Sequence, residues 1–217
     1  MTPRRRCGED HGSPRSQGCR LASNLMSTQS APSQLRPGTW NVDAVHSQVM
    51  VSVRHMSVTS LRAKFPRISG KLEVREDDPL HSSFDVEIDT RSVTTGHQAQ
   101  EDFMRSEPWL DAEHHPSIRF QSTSITPSPD GFLIGGDLTL KGVTRSIQIP
   151  AVFHGVVADP WGLRAGFTSS VTVDRRDFGI TWNRAFDWGV MASEEMEISL
   201  DIELAYPDES LAQKPRE

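Results

Sequence analysis

Apolar and polar residues alternate with a period of two along most of this chain, the spacing of strands that bury one face and expose the other. Val49, Val51 and Val53 alternate with Met50, Ser52 and Arg54 up to His55. The same alternation returns at Phe84, Val86 and Ile88, at Ile118 and Phe120, at Phe167, Ser169, Val171 and Val173, and from Ile198 to Leu204. It predicts strands over residues 39–42, 47–55, 70–75, 83–89, 118–125, 132–141, 146–157, 163–174 and 194–205. Turn residues separate them at Asp77-Asp78-Pro79, Pro127 to Gly131, Lys141-Gly142 and Asp159-Pro160-Trp161-Gly162. Strands so regularly spaced suit an all-β fold, a single up-and-down antiparallel barrel of about eight strands, because closure removes exposed sheet edges. The pattern turns helical only near residues 96–110. There Thr94 or Thr95 can cap a short helix whose apolar face carries Phe103, Met104 and Trp109, placed to cover one mouth.

Alternation also assigns the barrel's inner face: Val49, Val51, Val53 and His55, then Phe84, Val86, Phe120, Phe167 and Val171. Such a lining fits either a dry packed core or a slender apolar ligand. His46 and His55 flank one strand, and His55 has inward parity. Each can anchor a strand end through backbone bonds or offer a hydrogen bond to a polar head group. His114-His115 precedes Pro116 in a turn where adjacent side chains diverge, so chelation by that pair is not expected. Gly135-Gly136 inside a strand marks a bulge or a close backbone approach. Asp174-Arg175-Arg176-Asp177 reads as an exposed ion-pair corner.

Composition divides the chain. Residues 1–36 are rich in Arg, Ser, Gly and Pro without apolar period, so they are expected to be disordered, with Met26 a candidate start. They hold six Arg against Glu9 and Asp10, net +4, so the remainder carries −10 of the chain's total of −6. A domain that acidic is a poor partner for nucleic acid or anionic surfaces. Arg4-Arg5-Arg6 lacks a following apolar stretch, so no export signal is read and a cytoplasmic location is expected. No apolar run is long enough to span a bilayer, and stable membrane insertion is not expected. Both cysteines, Cys7 and Cys19, lie in the extension. With His11 their spacing matches no standard zinc site, so neither a disulfide nor a metal is expected in the barrel. Gly-x-Ser-x-Gly, His-Glu-x-x-His and phosphate-binding glycine loops are absent.

Several segments in fixed order carry a resemblance to a known family. They are Gly38-Thr39-Trp40-Asn41-Val42-Asp43 with His46-Ser47 and His55-Met56, then Ile88-Asp89 with Ser92 to Thr95, then Gly136 to Thr144, then Asp174 to Trp182. Together they resemble the YceI-like polyisoprenoid-binding proteins over about residues 37–206, leaving residues 207–217 as a disordered tail. Ala63 stands where the family commonly has Gly, and Phe103 where a His is common. The resemblance implies a lipocalin-like barrel holding a polyisoprenoid or isoprenoid quinone, with Phe103 joining the inward residues at the ligand and no cofactor besides. It implies a carrier; the alternative is an enzyme acting on a prenyl lipid with His55 as general acid or base. A homodimer is compatible with either.

Overall fold

The computed structural model describes residues 35–187 and 189–207. The expected disorder of the extension up to residue 34, the start at Met26, the cysteines and the tail beyond residue 207 fall outside the described residues. Packing begins at Leu35, which lies against the core, and at Arg36, whose carbonyl accepts a 2.9 Å bond from Trp40 Nε1. That is two residues ahead of the expected boundary.

Twelve strands and one helix follow in the order β1 (Gly38–Val42), β2 (Gln48–His55), β3 (Thr59–Lys64), β4 (Ile68–Val74), β5 (Ser83–Asp89), α1 (Gln98–Arg105), β6 (Ser117–Ser128), β7 (Gly131–Leu140), β8 (Val143–Asp159), β9 (Gly162–Asp174), β10 (Ala185–Phe186), β11 (Gly189–Val190) and β12 (Ala192–Pro207). β1 and β2 act as one interrupted strand. β12 pairs with β1 at Asn41↔Ala205 and Val42↔Leu204, and with β2 from Asp201↔Gln48 to Ala192↔His55. β3 and β4 form the next interrupted strand, and β5 to β9 continue the meander back to β12. The result is a closed, eight-membered, antiparallel up-and-down barrel, as the alternation predicts. β10 and β11 form a small separate hairpin.

β3 is the barrel strand absent from the sequence expectations, which also contain neither β10 nor β11. Its hairpin turns at Met56 and Ser57, both left-handed (φ 53° and 58°), with Val58 N–H donating to His55 O at 3.0 Å. The loop between the paired His55 and Thr59 is three residues, Met56-Ser57-Val58, and neither left-handed residue is the Gly or Asn that normally announces such a turn. Lys141-Gly142 makes a tighter, two-residue turn between β7 and β8, also at positive φ, with the expected glycine.

Gly135 and Gly136 lie opposite a bulge rather than in one. β6 carries the extra residue, Thr123, between Ser122↔Gly136 and Ser124↔Gly135. A side chain at Gly136 would collide with the Phe120 ring. The close approach lets β6 bend, and the bend helps the sheet close.

Candidate functional site

The barrel encloses a cavity of about 360 Å³, within the range of sites that hold small organic ligands. All ten residues assigned inward from the sequence line it: Val49, Val51, Val53, His55, Phe84, Val86, Phe103, Phe120, Phe167 and Val171. Alternation found the wall because every strand contributes one face. It could not supply the contributions from outside the predicted strands, Leu35, Leu61, Trp182 and Met191 among them.

Seven lining residues are polar: His55, Arg62, Ser82, Thr95, Gln100, Thr168 and Ser169. Three of these bond within the wall. Ser169 Oγ donates to Pro150 O at 2.5 Å, Thr168 Oγ1 meets His154 Nε2 at 2.8 Å, and Ser82 Oγ accepts from Arg75 N at 3.3 Å. By contrast, the side chains of His55, Arg62 and Gln100 make no hydrogen bond to any described residue. These three stand at the end of the barrel where α1 sits, together with Thr95. Met56 N donates to Met191 O there, and Lys64 pairs with Thr94, bringing β2, β3, the segment before β12 and the start of α1 to one mouth.

α1 is anchored by a carboxylate reaching backwards. The cap position falls to His97, which makes no side-chain cap bond, rather than to Thr94 or Thr95. Glu101 Oε1 instead accepts Thr94 Oγ1 at 2.7 Å, Thr95 N at 2.8 Å and Gly96 N at 3.0 Å, while Arg105 reaches Glu101 Oε2 at 3.3 Å and Val93 O at 3.0 Å. The Thr95 amide, the Thr94 hydroxyl and the Gly96 amide hold the Glu101 pKa down to about 2 despite its partial burial. So fixed, α1 turns Gln100, Phe103 and Met104 to the cavity at helical spacing. The Phe103 ring meets Trp182 at 4.8 Å and Trp109 at 6.2 Å.

Behind this aromatic group the expected exposed corner is corrected. Arg176 does pair in the open with Asp174 and Glu194, and its bonds hold the Asp174 pKa down to about 2. Arg175, however, is 1% exposed. It donates to Ser193 O at 2.8 Å and Ile180 O at 2.5 Å, and its guanidinium lies 5.2 Å from the Trp109 ring centre. The segment Arg175–Phe178 is a tight 3₁₀ turn, which points successive side chains about a third of a turn apart and so sends one arginine inward and the next outward. Burial lowers the Arg175 pKa from its ordinary value.

The remaining histidines sit elsewhere. His46 is exposed, with Nδ1 at 3.2 Å from Asp43 and 3.8 Å from Glu203. Burial works against the Asp43 carboxylate, but bonds from His46 and from the Val45 and His46 amides outweigh it and lower its pKa. His114 and His115 do not diverge as expected. Both approach Asp111, at 2.8 and 3.9 Å, because Asp111 at positive φ closes the turn beneath them.

Comparison with known proteins agrees with this architecture. The YceI-like domain model matches residues 40–204, and the chain belongs to that family. A UPF0312 protein of Ectopseudomonas mendocina is 37% identical over 160 residues, covering 73% of this chain and 81% of the relative. A UPF0312 protein of Pseudomonas aeruginosa is 35% identical over 159 residues with the same coverage. Among solved structures, BcnA of Burkholderia cenocepacia superposes with a TM-score of 0.65 at 21% identity, over 75% of this chain and 98% of that one. A polyisoprenoid binding domain from Saccharophagus degradans does so at 0.61 and 13% identity, over 79% and 100%. These two share the fold. Among the described residues no helix is long and apolar enough to cross a membrane.

Proposed function

We propose that this protein is a carrier that shelters an isoprenoid lipid, such as an isoprenoid quinone or its precursor, inside the barrel. The observation that carries the reading is the cavity itself, apolar along its length with its unpartnered polar side chains gathered at one end. An amphiphile with one polar group and a hydrocarbon tail matches that distribution. Each methylene buried is worth roughly 0.8 kcal/mol, and His55 and Gln100 offer hydrogen bonds to a head group at the mouth. The polyisoprenoid binding domain of like fold supports the choice of lipid. The enzyme alternative, with His55 as general acid or base, needs a second group orienting the ring; among the described residues none hydrogen-bonds it.

Protein purified without detergent and examined by native mass spectrometry should carry a prenyl compound that organic extraction releases. Val51→Phe, pointing into the cavity, should displace it at little cost in stability, whereas the same change in a solid core would cost roughly 1–3 kcal/mol. A dry interior that also refuses added isoprenoid quinone would overturn the carrier reading. Turnover of a prenyl substrate that His55→Gln abolishes would favour the enzyme.

A further inference from the structure

Two buried polar side-chain atoms have no hydrogen-bond partner among the described residues, Thr90 Oγ1 and Trp109 Nε1. Of these two residues only Trp109 lines the cavity, and it is 8% exposed. An unmet donor away from water weakens the fold, so native proteins keep few of them, and one set in a cavity wall calls for a partner from outside the chain. The chain satisfies such a donor elsewhere. Trp40, also an indole in the core, gives its Nε1 proton to Arg36 O at 2.9 Å.

Trp109 is held where it stands. Its main chain is fixed in the loop after α1, where Trp109 N donates to Ser106 O, Leu110 N to Met104 O and Asp111 N to Ser106 O. Its ring meets Trp182 with centres 6.0 Å apart, Phe103 at 6.2 Å and the Arg175 guanidinium at 5.2 Å. Arg175 directs its hydrogen bonds to Ser193 O and Ile180 O, so it brings a cation to the indole but no acceptor. That buried charge favours the negative end of a dipole beside the ring. In this arrangement the nitrogen is closed to water. Phe103, 38% exposed, is the neighbour with room to swing outward and admit an acceptor.

An indole N–H only donates, which fixes the chemistry of what it can meet. His55 and Gln100 can each donate or accept, and they leave the head group undefined. A phosphate would lose most of its hydration against a single donor, whereas a neutral oxygen would not. From the orphaned indole in the cavity wall beside Phe103, we infer that Trp109 Nε1 donates to an uncharged acceptor oxygen of the cargo, a carbonyl or a hydroxyl. The inference rests on the carrier reading and specifies its ligand: an oxygen-bearing prenyl compound whose polar group is drawn in behind Phe103, rather than a prenyl hydrocarbon or a prenyl phosphate.

Displacement of N-phenyl-1-naphthylamine from the full chain compares farnesylacetone, which carries one ketone oxygen, with farnesene, which carries none. Trp109→Phe keeps an aromatic ring in place and removes the donor. It should weaken farnesylacetone about fivefold, the worth of one hydrogen bond, and leave farnesene within about twofold of the parent. In parent protein carrying isotope-labelled tryptophan, a water-protected indole N–H resonance should move downfield with farnesylacetone and stay in place with farnesene, a readout that holds even if the variant fails to fold. Equal weakening of both ligands, weakening of neither, an indole signal that does not move, or tighter binding of farnesyl diphosphate than of farnesylacetone would each overturn the assignment and leave the carrier reading in place. A parent protein that takes up neither the dye nor either ligand would overturn the carrier reading, and the assignment with it.

Discussion

At the α1 end of the barrel, the side chains of His55 and Gln100 line the cavity without a hydrogen-bond partner among the described residues. At the opposite end, Ser169 and Thr168 bond to the wall, Arg164 is held by Asp43, Asp159 and Glu203, and the rings of Phe132, Phe153 and Phe167 pack together. The same wall of alternating residues runs through both. What separates them is whether each polar group found its partner within the fold. A satisfied group stiffens the wall; an unsatisfied one at a cavity mouth remains available to something else.

The comparison predicts its largest effect in aromatic truncation. Phe132→Ala, at the sealed end, should cost about 3–5 kcal/mol, as large-to-small core changes do. Phe103→Ala should cost under about 1 kcal/mol, because a ring 38% exposed gives up little burial. Urea titration of both settles the contrast; equal losses would mean that the α1 end is core as well. Next comes Arg175→Met, expected to cost about 2–3 kcal/mol because the buried carbonyls of Ser193 and Ile180 lose their donor. If the variant is as stable as its parent by urea titration, Arg175 is not the support behind the mouth. Replacing Met56-Ser57 by Asn-Gly should stabilise the hairpin by about 1 kcal/mol, since those residues suit the left-handed turn. Urea titration of that variant measures the gain, and none would mean that the turn is not strained.

Acid is the gentlest probe. The Glu101 carboxyl titrates near 4.5 when unfolded and near 2 when folded, so its contribution is complete above about pH 4.5 and is lost as pH falls toward 2. Stability of the parent should decline through that window. Glu101→Gln should show a shallower decline there, measured by urea titration at each pH. An unchanged slope would mean that the carboxylate does not hold α1.

Much of this was legible in the residues. Strand β5 falls at residues 83–89 as alternation requires, and parity alone put Val51, Phe120 and Phe167 on the cavity wall. The missed strand β3 shows the limit, since its turn uses Met56-Ser57 and nothing in those side chains announces φ above zero. Arg175 and Arg176 read alike as neighbouring charges, and only the pitch of a 3₁₀ turn decides which is buried. Parity names the residues that face inward, but whether they meet depends on barrel closure, on the bend at Thr123 and on the clearance that Gly136 gives Phe120. These are long-range properties, and no local window contains them.

The closure seam fixes more than the barrel's shape. Gly38 opens β1 against the ring of Tyr206, and Trp40 packs on the same ring with centres 5.1 Å apart, so the first and last strands enter and leave side by side, away from α1. A tether attached at Leu35 or Pro207 would therefore hold the molecule by the end opposite α1 and leave the α1 mouth facing outward.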